Sequence, residues 1–75
     1  MFRYLPFEND MDSPYIGLYH AFGLRVLLSQ NGLEEEVMLL PDISTDFSFV
    51  LHLAAVLTRK QLDPIHLLDV IEDSL

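Results

Sequence analysis

The chain contains no cysteine and no tryptophan, and it has only 3 glycines and 4 lysines plus arginines among 75 residues. Without cysteine there can be no disulfide framework, no thiolate zinc finger and no cysteine nucleophile. The few cations face 12 Asp+Glu, a formal charge of −8, which argues against direct binding to nucleic-acid phosphates. The longest strongly apolar window, Phe47 to Leu57, is interrupted by Ser48 and His52. It falls far short of the ~20 residues of a membrane span. The opening Met1-Phe2-Arg3-Tyr4-Leu5-Pro6 lacks the charged start, apolar stretch and small-residue cleavage site of a signal peptide. Together these absences predict a cytoplasmic protein with no membrane partner.

What the chain does have is apolar: 51% of its residues are hydrophobic. That excludes a disordered acidic tail and predicts one small acidic domain over residues 1–75. A domain of this size buries only about 60% of its unfolded surface. Without disulfides it must pack its core efficiently, bind a metal or share a core with another chain.

Periodicity predicts an α+β fold, a three-stranded antiparallel meander followed by two helices packed on one face. Phe2 to Phe7 suits a first strand, which Pro6 makes an edge strand or ends. Glu8 to Pro14 has the Asn, Asp, Ser and Pro of a turn. From Tyr15 to about Leu28 the even positions Ile16, Leu18, Phe22, Leu24, Val26 and Leu28 are apolar and predict a core-facing strand, with bends at Gly17 or Gly23. Asn31-Gly32 is a strong hairpin signal, and Glu34 to Leu40 returns as the third strand, stopped at Pro41. Ser44 or Thr45 can cap the first helix, with Asp46 in its first turn, Phe47, Val50, Leu51, Ala54 and Leu57 as its stripe and Arg59 and Lys60 in its last turn. Asp63-Pro64 opens the second helix, with Ile65, Leu68, Ile71 and Leu75 as the buried stripe and Leu67 and Val70 flanking it.

Three segments carry a resemblance: Tyr15-Ile16-Gly17-Leu18, Asp42-Ile43-Ser44-Thr45-Asp46, and Leu62-Asp63-Pro64-Ile65-His66-Leu67 followed by Asp69-Val70-Ile71-Glu72-Asp73. With them the chain resembles a family of short, functionally uncharacterised proteins from Clostridium-like Firmicutes. The C-terminal run is the specific part. The resemblance implies the same order of strands then helices and a bacterial or phage source, and it implies no activity. Ser74 stands where that family often has a residue such as Phe, and the three glutamates between Leu33 and Pro41 are not a feature of it.

No Gly-rich phosphate loop, Gly-x-Ser-x-Gly elbow or His-Glu-x-x-His occurs, so no enzyme activity is expected. Asp10-Met11-Asp12 starts like a calcium loop, but the sixth position has no Gly and the twelfth no Glu. His66, Asp69 and Asp73 would fall within about 60° on a helix, a candidate zinc-type site whose missing ligand would come from His52, His20 or a second chain. The plainer alternative is a solvated acidic helix face, and no cofactor is then expected. His20 interrupts the apolar strand face. Buried, it would need a hydrogen-bond partner; a bend at Gly17 or Gly23 would instead bring it to the surface.

The run Glu34-Glu35-Glu36 has Glu34 and Glu36 on one side of a strand. It suits a basic partner protein, or else guards a strand edge by like charge. Tyr15, Tyr19 and Phe49 exceed what one core face needs, which points to a contact surface. The expected function is a non-enzymatic interaction protein that binds a basic partner. Its most concrete form is an inhibitor of a nucleic-acid-handling protein, of the anti-CRISPR or anti-restriction type. The alternatives are the zinc-type domain and a regulatory adaptor that acts as a homodimer.

Overall fold

Alternating side chains and two strong turn signals build the sheet. A computed structural model describes residues 1–74, as strands β1 (Phe2–Ser13), β2 (Gly17–Gln30) and β3 (Leu33–Ser44), helix α1 (Phe47–Lys60), a single 3-10 turn (Pro64–His66) and helix α2 (Leu67–Ser74). The strands pair antiparallel in the order β1-β2-β3. This is the expected strands-then-helices α+β fold. Asn31 and Gly32, at φ 53° and 79°, make the second hairpin turn, the left-handed pair that matches the twist of its strands.

The first hairpin is longer than its composition suggests. Residues 8–13, expected to be a turn, continue β1 to Ser13, with Glu8 opposite Phe22, Asp10 opposite His20 and Asp12 opposite Leu18. The turn is Pro14 to Ile16, closed by Gly17 at φ 77°. Turn-type residues lose to the ladder here because Glu8, Asp10 and Asp12 alternate with Asn9 and Met11 and keep a period of two. Pro6 lies within β1 and does not end it. It is tolerated because β1 is an edge strand.

β3 likewise runs past Pro41 to Ser44, through two irregularities. Val37 has no partner between the pairs Val26–Met38 and Leu27–Glu36, and Pro41 to Ile43 bulge out between Leu24–Leu40 and Phe22–Ser44. A Cβ on Gly23 would land on the Leu40 carbonyl oxygen. Glycine therefore lets the bulge cross close over β2.

Residues directly opposite on paired strands share a face. Tyr4, Leu24 and Val26 lie on the even-numbered face and form one core cluster with Val50, Leu53, Ala54 and Leu57 of α1 and Leu67 and Ile71 of α2. α1 is rotated from the expected stripe: Leu53 is buried, while Phe47 and Leu51 are about half exposed. Its N-cap is Asp46, whose Oδ1 accepts from the N–H groups of Ser48 and Phe49, while the Ser44 hydroxyl accepts from Asp46 N–H. Asp at the cap satisfies two orphan donors at once.

α2 also differs in phase. Leu67 and Ile71 are buried and Ile65 and Leu68 are exposed, because Pro64 to His66 form a tighter 3-10 turn and the α-helix starts only at Leu67. The expected stripe residue Leu75 lies outside the described residues.

The proportions decide what remains uncovered. Fourteen helical residues span about 21 Å, whereas fourteen strand residues span roughly 46 Å. The molecule measures 44 × 25 × 20 Å. The helices therefore cover one half of the sheet, and the hairpin arm of residues 8–21 projects beyond them.

Candidate functional site: the bare hairpin arm

On the arm the even-numbered face continues without a cover. Tyr15, Ile16 and Leu18 are 93%, 70% and 82% exposed. Ile16 and Leu18 carry the apolar alternation expected for the core, yet they lie past the reach of α1. The last covered position is Phe22, whose ring meets Phe47 with centroids 5.0 Å apart.

Next to Leu18 the same face carries the exposed carboxylates Glu8, Asp10 and Asp12. His20, expected to be buried unless a bend at Gly17 or Gly23 brought it to the surface, is exposed although the β1–β2 register runs unbroken through both glycines, and its Nδ1 lies 2.6 Å from Asp10 Oδ1 and 3.2 Å from Glu8 Oε1. Residues 8–21 hold these three carboxylates and no lysine or arginine. A cavity of about 270 Å³ opens between Asp10, Leu18, Tyr19 and His20.

The residues singled out by sequence scatter. Tyr15 is at the tip of the arm. Tyr19 is on the opposite, odd-numbered face and donates its hydroxyl to Asp42 Oδ2 at 2.7 Å, an interaction that raises its pKa above the ordinary tyrosine value. Phe49 is half-buried and packs against the core, so it is not the surplus surface aromatic expected.

Glu34 and Glu36 do share a side, but each is paired: Arg3 Nε is 3.3 Å from Glu34 and Arg25 Nε is 2.7 Å from Glu36. Glu35 is exposed and has no ion pair among the described residues. The charged run is thus largely answered by arginines, whereas on the arm Glu8 and Asp10 meet only His20 and Asp12 has no ion pair among the described residues, as is also true of Glu35 and of Asp69, Glu72 and Asp73 on α2. The signal for the arm was available: acids at positions 8, 10 and 12 have the period of a strand.

His66, Asp69 and Asp73 are all exposed. Among the described residues no group of three His, Cys, Asp or Glu side chains is placed to hold a metal ion. His66 belongs to the 3-10 turn, so the α-helical spacing that would align it with Asp69 and Asp73 does not apply. Among the described residues, no helix is long and apolar enough to cross a membrane.

The family model described as "Family of unknown function (DUF6514)" matches residues 3–75. No curated protein and no solved structure matches the chain. The chain belongs to the DUF6514 family.

Proposed function

We propose that this DUF6514 member is a non-enzymatic interaction protein that uses its hairpin arm to bind a basic partner protein. One observation carries the reading: Glu8, Asp10 and Asp12 stand in a row beside the uncovered Leu18, with no Lys or Arg to answer them on the arm. Apolar area of this kind rimmed by one sign of charge is typical of a contact surface. Long-range attraction would then steer a cationic partner to it. The finer reading is inhibition of a nucleic-acid-handling protein, in a bacterial or phage setting. Carboxylates spaced along a strand can occupy cationic sites meant for phosphates, and the net charge of −8 favours that competition.

The test is capture of partners from a bacterial lysate at low salt by the native chain and by a chain carrying Glu8→Gln, Asp10→Asn, Asp12→Asn and Leu18→Ser. The expected result is a basic protein retained by the native chain, released by salt and lost with the variant, whose nucleic-acid binding falls when the native chain is added. Equal retention by both chains overturns the assignment to the arm. A retained partner with undiminished nucleic-acid binding removes the inhibitor reading.

A further inference from the structure

We propose that the outer edge of β1 at Glu8, Asp10 and Asp12 accepts an extended basic segment of the partner as an added strand, with cations at alternate positions over the three carboxylates. This rests on the reading above and specifies how the partner is held.

The phase of the edge follows from its first pair. Met1 N donates to Ser29 O at 3.0 Å and Ser29 N to Met1 O at 2.8 Å. In an antiparallel ladder the residues that exchange both bonds alternate with residues that point away. The odd residues of β1 therefore bond β2, and Phe2, Tyr4, Pro6, Glu8, Asp10 and Asp12 aim their backbone groups outward.

The packed half answers these groups one by one. Gln61 accepts from Phe2 N–H at 2.8 Å and donates to Phe2 C=O at 2.9 Å. The Thr58 hydroxyl accepts from Tyr4 N–H at 2.9 Å and donates to Tyr4 C=O at 3.3 Å. Pro6 has no N–H to answer, and its outward C=O has no partner among the described residues. Thr58 of α1 and its C-cap residue Gln61 thus take the place of a neighbouring strand at Phe2 and Tyr4, and no fourth strand can form there. Beyond Tyr4 that substitution stops. Among the described residues nothing bonds the outward backbone groups of Glu8, Asp10 and Asp12. An open edge of this kind is a template for strand addition, with main-chain bonds giving affinity and alternate side chains giving specificity.

The side chains define the occupant. Glu8, Asp10 and Asp12 share one face at spacings of about 7 Å, and Glu8 and Asp10 keep 61% and 77% of their side-chain area exposed despite His20. Residues of an added strand directly opposite them lie on the same face. Lysine or arginine at every second position would pair with all three. The intervening residues would lie beside Asn9 and Met11 on the other face. A second copy of this chain is disfavoured at this edge, because antiparallel self-pairing about Asp10 would set carboxylate against carboxylate.

The test uses two short peptides of identical composition, one alternating (Lys-Thr repeated) and one blocked (all Lys, then all Thr), titrated into the isotope-labelled full chain. A third peptide is the alternating one with every second backbone amide N-methylated, which keeps the charge and removes donors. The alternating peptide should bind about tenfold tighter than the blocked one, a difference near 1.4 kcal/mol. It should also slow amide exchange at Glu8, Asp10 and Asp12, and N-methylation should abolish the gain. Equal binding of all three peptides, lost with the Glu8→Gln, Asp10→Asn, Asp12→Asn chain, overturns strand addition and leaves the arm as the partner surface. Binding that this variant does not weaken overturns both.

Discussion

One sheet runs the length of this molecule, and its two halves are treated differently. The half under the helices has a packed core, a bonded β1 edge and paired charges. Apolar side chains interlock (Leu24, Val26, Val50 and Leu67 are fully buried), the strand edge is bonded by Thr58 and Gln61, and the odd-face acids are matched by Arg3 and Arg25. In the arm the same alternation persists with none of these. Apart from the buried Ala21 at its root, the arm is held by the ladder and the Tyr19–Asp42 hydrogen bond, its β1 edge is open, and the charge on the exposed face has one sign apart from His20. A pattern that means core in one half means surface in the other, and the switch is the length of α1.

Leu24 and Leu18 lie on one face of β2 six residues apart. Leu24→Ala should cost about 3 kcal/mol, since it opens a cavity under Val50 and Leu67. Leu18→Ala should stay within about 0.5 kcal/mol. Urea unfolding followed by circular dichroism measures both. Similar losses at the two sites would mean that the arm is covered in solution.

Tyr4 holds the covered edge of β1. It is 3% exposed, and its hydroxyl donates to the Leu62 carbonyl at 2.6 Å, tying β1 to the segment after α1. Tyr4→Phe should cost about 1–2 kcal/mol by orphaning that carbonyl. Burial, with the negative charge of Asp63 adding to it, raises the Tyr4 pKa to about 12 from 10.0. The folded chain thus keeps a proton that the unfolded chain releases. The resulting stability is complete below pH 10 and is lost as pH rises to about 12. Tyr19 is also held above its ordinary value, by Asp42, so Tyr4→Phe should flatten most of the alkaline fall in melting temperature and leave a remainder that Tyr19→Phe removes. An unchanged alkaline profile in Tyr4→Phe would place the titration elsewhere.

The fold order was legible because each element carried a local signal: period two in β2, Asn31-Gly32 at a tight turn, Asp63-Pro64 at a helical start. The phase of the elements was not. Pro64 to His66 form a 3-10 turn, so Ile65 and His66 do not follow the α-helical phase of Asp69 and Asp73, and Ile65 and Leu68 are exposed. The bulge at Pro41 to Ile43 depends on a backbone crossing at Gly23 that no local pattern announces. The candidate site was legible only in part. Tyr15 and the overall charge pointed to a contact surface, but Glu34-Glu35-Glu36 drew attention by density, while Glu8, Asp10 and Asp12 were hidden in a segment with the composition of a turn. Which acids have partners is set by cross-strand register, since Glu36 meets Arg25 through pairing across β2 and β3.

The smallest expected effect separates those two groups of acids by sign. Glu36 and Arg25 are each about half exposed at 43% and 50%, with 2.7 Å between the charged atoms. Such a surface pair contributes less than about 1 kcal/mol and is weakened by salt, so Glu36→Gln should lower the melting temperature slightly at low salt and hardly at all at high salt. Asp12 has no ion pair among the described residues and stands two residues from Asp10 on the same face. Asp12→Asn removes repulsion without breaking a bond and should raise the melting temperature slightly at low salt, again converging at high salt. The two substitutions change the net charge by the same amount, so global charge cannot produce opposite signs. Shifts in the same direction would show that the arm's carboxylates are already matched, and the electrostatic distinction between the two halves would fall.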